Sequence, residues 1–473
     1  MRVLTDPSSI EPYLRDESRM PGGAASAIWV PDSTEELRQA ICDARAQRQP
    51  VTVAGAGTGI TGGRIPAGGV VISTERLTAV RSLGESIVCG AGTTLATVFA
   101  AAQSMRRFYP PDPTEWSASI GGTFATNASG ARSFAFGATR RWVQRAVVLL
   151  IDGTVLDLSR GAITATRGSF TLPDGRRLPA PDWNLPRTSK HAAGYYSMPS
   201  MDLIDLFIGS EGTLGVVAEV QLATIPAPQE ILGGLLFFSQ ESDAFGLVRA
   251  ARARQRSVEP LALEFFDAAA LNLARTHDPQ VPAAAAAIFF EQLLTDASRE
   301  QALEGWIQLA EQHAAHADSW LGQGGADQAR FRDLRHAVPV AINRTLARRG
   351  VTKVATDSAL PLDRTESWLA QAREWLDRQR LEHVAFGHVG DEHLHVNILA
   401  RDAEQVPEAR AAFYELTRRA VAAGGTVSAE HGLGKLKRDL LRMMYPDEVL
   451  ARMQQIKHSL DPEMALGQGT LLP

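Results

Sequence analysis

Hydrophobic and polar positions follow two different spacings along the chain, and segments of the two kinds alternate. Residues 34–47 repeat apolar positions at helical spacing, with Thr34 as the predicted cap and acidic residues in the first turn. Short apolar runs of strand character stand at 51–53, 69–73, 87–89 and 143–158. The alternation ends near residues 226–228, a Pro-Ala-Pro stretch that predicts a domain boundary.

Longer helical patterns dominate the second half of the chain. Helices are predicted at 242–255, 296–316, 326–350, 366–380 and 408–423, and strands at 231–238, 261–266 and 351–358. Residues 284–293 combine alanines with Ile288-Phe289-Phe290, so helix and strand both stay open there. The order strand, helix, strand, strand, helix predicts a ferredoxin-like unit.

Composition places the chain among ordinary soluble proteins and excludes several classes. Of 473 residues, 45% are hydrophobic and 21% charged, and the net charge of −5 provides no basic surface for nucleic acid. Cys42 and Cys89 allow neither a disulfide framework nor a CxxC metal site, so a metal would need nitrogen and oxygen ligands. The sequence shows no signal peptide and no apolar run of membrane-spanning length. We expect a cytoplasmic protein and leave open its attachment to the inner membrane through a partner.

Three glycine-rich segments, 55–63, 119–130 and 209–215, lie in the first half of the chain. Glycine runs between strands let backbone N–H groups approach anionic oxygens. The first run has no Walker lysine and is not a GxGxxG that opens a helix, which excludes nucleotide hydrolysis and disfavours a Rossmann site. One such run would be a set of tight turns. Three in one domain favour a large phosphorylated ligand.

Four histidines and a glutamate gather in two short segments near the C-terminus. Residues 387–397 contain His388, His393 and His395, and residues 428–434 contain Glu430 followed by His431. Neutral imidazoles with one carboxylate suit zinc, manganese or iron. The set therefore predicts one divalent metal together with one general base. Isolated histidines elsewhere are expected to be hydrogen-bonded structural side chains: His313, His316, His336, His383 and His458.

Three motifs resemble those of a known superfamily: PPDPT at 110–114, SIGGTFATNASG at 119–130 and GSEGTLGVV at 209–217. They are similar to the FAD-binding segments of the vanillyl-alcohol oxidase / p-cresol methylhydroxylase superfamily. Within it the chain resembles the D-2-hydroxyacid branch, which includes D-lactate and D-2-hydroxyglutarate dehydrogenases and the flavin subunit of glycolate oxidase. The resemblance implies an α+β fold: a two-part FAD-binding domain of the p-cresol methylhydroxylase type, a ferredoxin-like substrate domain and a C-terminal segment that returns to the active site. The expected bounds are 1–228 for the FAD-binding domain, 229–425 for the substrate domain with its metal-binding strands, and 426–473 for the C-terminal segment.

The resemblance also implies which residues hold FAD. Those expected to cradle the pyrophosphate are Gly55, Ala56, Gly57, Thr58, Gly59, Thr61 and Gly62, with Pro111, Asp112 and Pro113 beside it. Those expected at the flavin, ribityl and phosphate groups are Gly121, Gly122, Asn127 and Gly130, and those along the nucleotide end are Glu211, Gly212 and Val217. Because Thr58 stands where relatives with covalent flavin carry histidine or cysteine, we expect non-covalent FAD.

Catalytic roles follow from the same resemblance. His388, His395 and Glu430 would bind the metal, and His431 would be the base. Asn397 would contact substrate, and Arg335 would bind the substrate carboxylate, ideally with two parallel hydrogen bonds.

The chain departs from the related pattern at three places. Glu392-His393 replaces a Gly-Asn pair, so His393 is left without a role and could add a ligand or alter the substrate pocket. The lysine that glutarate enzymes carry two residues before Asp357 is Ala355 here, with Lys353 two residues earlier. This favours D-lactate or a similar monocarboxylate. The C-terminal Asn-Pro-Gly-Lys turn is replaced by residues 466–470, which puts any flavin contact there in doubt.

The expected function is FAD-dependent oxidation of a D-2-hydroxyacid, D-lactate-like in first place, to the 2-oxoacid. Electrons would leave to a non-nicotinamide acceptor: an electron-transfer flavoprotein, a quinone, a cytochrome or an iron–sulfur subunit. The alternatives are the flavin subunit of a glycolate oxidase complex and a D-2-hydroxyglutarate dehydrogenase. A transferase of the alkylglycerone-phosphate synthase kind would need an apolar acyl channel, for which the sequence gives no sign, and a pure binding protein would not need Glu430-His431. A homodimer is compatible with the sequence, which does not decide the oligomeric state.

Overall fold

The computed structural model describes residues 1–473, apart from the side chain of Gln323. The strands are β1 (Arg2–Leu4), β2 (Ala27–Val30), β3 (Val51–Ala54), β4 (Val70–Ser73), β5 (Val80–Leu83), β6 (Ser86–Gly90), β7 (Arg107–Phe108), β8 (Val143–Leu149), β9 (Val155–Ser159), β10 (Ser169–Thr171), β11 (Arg177–Pro179), β12 (Val216–Ala223), β13 (Ile225–Pro226), β14 (Glu230–Phe238), β15 (Pro260–Asp267), β16 (Ala286–Leu294), β17 (Trp320–Gln323), β18 (Val354–Ala355), β19 (Ser358–Ala359), β20 (His383–Gly387) and β21 (His393–Ile398). The helices are α1 (Pro7–Ile10), α2 (Thr34–Ala46), α3 (Leu95–Ser104), α4 (Ile120–Thr126), α5 (Ser133–Phe136), α6 (Leu203–Phe207), α7 (Glu241–Arg252), α8 (Ala268–Arg275), α9 (Arg299–Gln312), α10 (Gly325–Arg348), α11 (Thr365–Arg378), α12 (Val406–Ala422), α13 (Leu441–Met444) and α14 (Asp447–Leu460).

The first sheet has four strands in the order β1-β2-β4-β3, with β4 parallel to both β2 and β3. Helix α2 covers it with an apolar face of Leu37, Ala40, Ile41 and Ala44. The helix begins where the sequence predicts, but its cap is Ser33, whose Oγ accepts a hydrogen bond of 3.2 Å from the backbone N–H of Glu36. A residue in extended conformation is needed at the cap, and Thr34 is already helical.

The second sheet is antiparallel, with five strands in the order β5-β6-β12-β8-β9. Helices α3 and α4 pack on it, and Thr94 and Ser119 cap them by accepting hydrogen bonds from backbone N–H groups. The predicted strand pair across Asp152-Gly153 is present as β8 and β9. Within the turn-rich region 159–190, the structure contains one short strand pair, β10–β11.

The third sheet holds the second half of the chain together. Its strands follow the order β17-β14-β16-β15-β20-β21-β18, with β19 pairing separately with β21. It is larger than the predicted ferredoxin-like unit, and α8 stands between β15 and β16, where the sequence suggested a direct strand-to-strand connection. The ambiguous segment is strand β16, because Ile288, Phe289 and Phe290 are buried in the core of this sheet. The domain boundaries at 228 and 425 stay predictions.

The predicted strand 351–358 is two separate short strands. Val354 and Ala355 pair with Ile398 and Asn397, whereas Ser358 pairs with Leu394. The break between them contains Asp357, which is 1% exposed and lies among the site residues described below. Local propensity predicts one continuous strand. The structure interrupts it at Asp357, whose buried carboxylate lies inside the site.

The C-terminal segment packs its apolar side chains on the first two sheets and reaches the third through hydrogen bonds, including one of 3.0 Å from the backbone N–H of Thr426 to the carbonyl oxygen of Ala359 in β19. Its residues Val427, Leu441 and Met453 belong to the core of the second sheet, and Leu466 forms a parallel bridge to Val51 at the edge of the first. The buried Lys457 amine fixes this arrangement. It donates hydrogen bonds of 2.9 Å each to the carbonyl oxygens of Thr213 and Leu466 and to the Asp461 carboxylate.

We expect Lys457→Met to lower the free energy of unfolding by about 3–5 kcal/mol, because it leaves the buried Asp461 carboxylate without its counter-ion. Urea unfolding measures the loss. The control is Arg418→Met, which breaks a mostly exposed pair with Glu415 and should cost less than about 1 kcal/mol. Equal losses in the two variants would contradict a role of Lys457 in holding the C-terminal segment.

Candidate active site

A cavity of about 400 Å³ is lined by the three glycine-rich segments. The first follows β3, the second surrounds the start of α4, and the third leads into β12. Glu430 and His431 of the C-terminal segment also line it. Ligand pockets usually enclose about 300–1,000 Å³, so this cavity has the size of a cofactor or substrate site.

Most residues predicted to bind the cofactor line this cavity: Gly55, Ala56, Gly57, Thr58, Gly59, Thr61, Pro113, Gly121, Gly122, Glu211, Gly212 and Val217. The others lie outside its described lining: Gly62, Pro111, Asp112, Asn127 and Gly130. Asn127 ends α4 at φ 48°, and its Oδ1 accepts a hydrogen bond of 2.9 Å from the backbone N–H of Arg140. At Gly130 a Cβ would stand 1.9 Å from the carbonyl oxygen of Asp112, so only glycine fits.

The first glycine-rich segment offers unused backbone donors to the cavity. In the described part of the chain, the N–H groups of Gly57, Thr58 and Gly59 have no protein acceptor. Consecutive free N–H groups form a concave site for phosphate oxygens. The segment therefore fits the pyrophosphate of FAD.

Arg64 is a cavity residue that the sequence reasoning missed. Its Nη2 donates a hydrogen bond of 3.2 Å to the carbonyl oxygen of Pro12, and its buried Nε has no protein partner among the described residues. Burial lowers the pKa of Arg64, which still leaves a cation beside Gly57. A positive charge next to free N–H donors suits an anionic cofactor group. The available signal was a basic residue directly after a glycine run.

The Glu430 carboxylate is the centre of the histidine cluster. Its Oε1 lies 3.2 Å from His395 Nε2, 3.4 Å from His388 Nε2 and 3.6 Å from His431 Nε2. Its Oε2 lies 3.9 Å from His393 Nδ1. One ligand atom from each of His388, His393, His395 and Glu430 falls within 4.8 Å of every other. The structure thus brings all the predicted metal ligands together.

Each predicted histidine ligand is oriented by a second partner. His388 Nδ1 lies 3.0 Å from Glu264 Oε1, and His395 Nδ1 lies 3.1 Å from the carbonyl oxygen of Thr356. Partners of this kind fix the ring orientation and leave Nε2 for a metal. Burial lowers the pKa of His395, so its ring is neutral, as a ligand must be. For His388, burial and Lys190 oppose a charge, but Glu430 and Glu264 raise its pKa to about 9. A metal would displace that proton.

Lys190 is a second residue that the sequence reasoning missed. Its buried amine lies 2.9 Å from Glu430 Oε2 and donates a 3.1 Å hydrogen bond to the carbonyl oxygen of Gly130. Burial alone would raise the pKa of Glu430, but the charges of Lys190 and His388 hold it well below its ordinary value. Glu430 is therefore a carboxylate, the form that binds metal. A lone lysine in a turn-rich region carries no motif, and only the fold reveals it.

His431 is oriented by Asp357, which the sequence reasoning used only as a landmark. The His431 Nδ1 atom and its backbone N–H both lie 3.2 Å from Asp357 Oδ2. Lys437 and Ser428 also donate to that oxygen, at 3.2 Å and 2.6 Å. Burial opposes ionisation of Asp357, but His431 and Lys437 hold its pKa well below its ordinary value. The carboxylate keeps a proton on Nδ1 and leaves Nε2 of the partly exposed ring to accept one.

Arg335 contacts Glu264 with one edge of its guanidinium, and its predicted contact with a substrate carboxylate stays a prediction. Its Nε and Nη2 each lie 2.8 Å from a Glu264 oxygen, so that edge of the guanidinium is already occupied. Glu264 in turn holds His388, and despite its burial these two cations keep its pKa below the ordinary value. Arg335 positions the histidine ligand through Glu264. The sequence could not show this because Glu264 lies on strand β15, far from helix α10 in the sequence.

Asn397 is held by contacts with the main chain, and its predicted substrate contact stays a prediction. It is fully buried, and its Nδ2 donates hydrogen bonds of 3.4 Å to the carbonyl oxygens of Val384 and His395. Its Oδ1 has no partner among the described residues, and the residue is outside the described cavity lining. It shares a strand face with His393 and His395, as the alternation of β21 predicts.

Glu211 joins the cavity to the C-terminal segment. Its two carboxylate oxygens accept hydrogen bonds of 2.8 Å and 2.7 Å from the backbone N–H groups of Leu433 and Gly434. A Cβ at Gly432 would stand 2.9 Å from Glu211 Oε1, so the turn after His431 approaches closely. Burial raises the pKa of Glu211 to about 7.

The sequence matches two family models in order along the chain. One is described as FAD binding domain and matches residues 25–159, and the other as FAD linked oxidases, C-terminal domain, and matches residues 227–471. The second match alone spans more than half of the chain. The chain belongs to the FAD-linked oxidase family.

Curated relatives of this FAD-linked oxidase are named as enzymes of 2-hydroxyacids. A D-2-hydroxyglutarate dehydrogenase of Xanthomonas citri pv. viticola is 31% identical over 487 residues, covering 100% of this chain and 94% of the relative. A D-lactate dehydrogenase of Anaerostipes hadrus is 27% identical, covering 99% and 94%. A glycolate oxidase subunit GlcD of Bacillus subtilis is 26% identical, covering 94% and 88%. The predicted membership of the FAD-linked D-2-hydroxyacid dehydrogenase branch is confirmed.

Solved structures show the fold of this FAD-linked oxidase. A 4-ethylphenol oxidase from Gulosibacter chungangensis superposes with a TM-score of 0.72 at 15% identity, covering 99% of this chain and 94% of its own. An alkyldihydroxyacetonephosphate synthase superposes with a TM-score of 0.71 at 14% identity, covering 98% and 83%. The predicted fold class, with an FAD-binding domain of the p-cresol methylhydroxylase type, is confirmed. Among the described helices, none combines the length and apolar composition of a membrane span.

We expect Glu211→Gln to remove part of the pH dependence of stability. The pKa of Glu211 rises from 4.5 to about 7 on folding, so the folded state retains a proton that the unfolded chain releases in this window. The unfolding free energy therefore falls as pH rises from 4.5 to 7, by up to about 3 kcal/mol from this group. Urea unfolding of the FAD-free protein at pH 5 and pH 8 measures the slope. The exposed Glu17→Gln variant should keep the wild-type slope, and an unchanged slope in Glu211→Gln would contradict the assignment.

Proposed function

We propose that the protein oxidises a small D-2-hydroxyacid to the 2-oxoacid, using non-covalent FAD and one divalent metal ion (zinc, manganese or iron) held by His388, His395 and Glu430. The observation that carries this proposal is the position of Glu430 and His431. They line the same cavity as the glycine-rich segments and belong to the histidine cluster. A candidate base, a candidate metal site and a candidate cofactor site therefore meet at one place.

When bound, FAD supplies an acceptor for a hydride and the divalent ion supplies a Lewis acid for the substrate oxygens. His431 accepts the hydroxyl proton at Nε2, since Asp357 holds the proton on Nδ1 and stabilises the imidazolium that forms. Lys190 and Glu264 keep Glu430 and His388 in place through contacts of 2.9 Å and 3.0 Å. The residues around them are largely buried, which limits the access of water.

The reaction needs an external acceptor for two electrons. The substrate loses one proton and one hydride from its carbinol group, which is a two-electron oxidation. The electrons then leave the protein to a non-nicotinamide acceptor such as an electron-transfer flavoprotein, a quinone, a cytochrome or an iron–sulfur subunit. The alternative is that the chain is the flavin subunit of a glycolate oxidase complex, with the acceptor in a partner subunit.

D-lactate or a similar monocarboxylate is the first substrate candidate. Ala355 replaces the lysine that related glutarate enzymes use, and Arg335 is committed to Glu264 along one edge. The second candidate is D-2-hydroxyglutarate. It is favoured by two lysines beside Asp357: the Lys437 amine lies 3.2 Å from Asp357 Oδ2, and Lys353 is an exposed side chain four residues before Asp357. Two cations near one end of the site would suit a second carboxylate.

We expect His431→Asn to slow flavin reduction by about 10²–10⁴-fold, the range for losing a general base. The measurement is anaerobic mixing of metal-replete protein with D-lactate, L-lactate, D-2-hydroxyglutarate and glycolate, followed by flavin absorbance. His458→Asn, on a helix outside the cluster, should reduce flavin at the wild-type rate. Unchanged reduction in His431→Asn would exclude it as the base, and a purified wild type without flavin would overturn the proposal.

We expect Lys353→Met to separate the two substrate candidates. For a monocarboxylate substrate, kcat/KM for D-lactate should stay within about twofold of wild type, because no carboxylate binds the lysine. For a dicarboxylate substrate, kcat/KM for D-2-hydroxyglutarate should fall by about tenfold or more, since an ion pair is lost. A large fall for D-lactate would contradict the expectation that a monocarboxylate substrate makes no contact with Lys353.

A further inference from the structure

His393 is a fully buried histidine whose ring nitrogens have no hydrogen-bond partner among the described residues. Its Nε2 lies 3.2 Å from Asp357 Oδ1, but without hydrogen-bond geometry, and that oxygen is also unpartnered. Buried polar atoms are nearly always satisfied, and leaving one unsatisfied costs about 1–3 kcal/mol. Three such atoms at one place point to a missing binding partner.

The backbone around His393 is held in place by hydrogen bonds and an ion pair. The backbone N–H of His393 donates a 3.1 Å hydrogen bond to the carbonyl oxygen of His388. The preceding residue, Glu392, pairs with Arg252 and accepts hydrogen bonds of 3.0 Å and 2.9 Å from the backbone N–H groups of Asp363 and Thr365. The Glu392-His393 pair, where this chain departs from the related Gly-Asn pattern, is thus anchored on both sides.

The ring faces the candidate metal site with Nδ1. That atom lies 3.9 Å from Glu430 Oε2, and a nitrogen of His393 belongs to the set of four ligand atoms within 4.8 Å of one another. Four ligands at about 2.1 Å from one zinc ion stand roughly 3.4 Å apart in a tetrahedron. A small contraction of the cluster around an ion would bring Nδ1 to bonding distance.

We propose that His393 is an additional protein ligand of the divalent metal, through Nδ1, while its Nε2–H donates to Asp357 Oδ1. The arrangement satisfies the three unpartnered atoms together and gives the ligand a carboxylate partner, as metal-bound histidines usually have. It rests on the metal site of the proposed function. The ion then has three imidazoles and one carboxylate from the protein, and Asp357 links His393 to the base His431.

The first test counts imidazole ligands in the wild-type protein. X-ray absorption at the zinc edge of the FAD-loaded, zinc-loaded protein should give three imidazoles and one carboxylate. Two imidazoles would overturn the inference and leave the proposed function intact. A protein that binds no zinc, manganese or iron would overturn both.

The second test measures affinity. The metal is removed with a chelator, and zinc is titrated back in competition with a chromophoric chelator, for wild type, His393→Asn and His393→Phe. Loss of an outer partner costs 10–100-fold in metal affinity, so loss of a ligand should cost more than about 100-fold. The control His383→Asn, on the paired strand β20, should bind zinc as wild type does. A loss below tenfold in both His393 variants, each with native circular dichroism, would overturn the proposal.

Discussion

The rest of the site depends on how the charge of the buried Glu430 carboxylate is compensated. An ionised carboxylate without compensating charge is very costly in a protein interior. Its compensation comes from distant parts of the chain: Lys190 and Ser129 from the first half, and His388 and His395 from the third sheet. No single domain can satisfy Glu430 alone. Its charge therefore binds the two halves of the chain and the C-terminal segment into one site.

Two further buried carboxylates near Glu430 are compensated in the same way. Asp357 receives His431 and Lys437, and Glu264 receives Arg335 and His388. Each carboxylate contacts a histidine of the site and a lysine or arginine. Because removal of one partner leaves a buried charge, such pairs enforce geometry more than they add stability. His388 and His431 consequently point their Nε2 atoms towards the Glu430 carboxylate.

Sequence patterns predicted the fold class and the candidate ligands. They did not predict the charged residues that hold those ligands in place. The glycine-rich segments and the His388–His395 and Glu430–His431 motifs are local, so the residues named from them lie together in the structure. Lys190 and Glu264 are single residues in segments without a motif, and only the tertiary fold brings them to the site. The pairing of Arg335 with Glu264 could not be read from the sequence, because it joins helix α10 to strand β15. The cap of α2 shifted by one residue for a purely local reason, since extended backbone is required there.

The Glu430–His431 turn follows all three glycine-rich segments in the sequence, and the C-terminal segment is held by Glu211 and Lys457 contacts with residues of the first half. Domains fold from the N-terminus during synthesis. A growing chain can therefore form the glycine-rich cavity and much of the third sheet while it still lacks the carboxylate and base at their junction. The order of synthesis thus separates the folding of the cavity from the completion of the site.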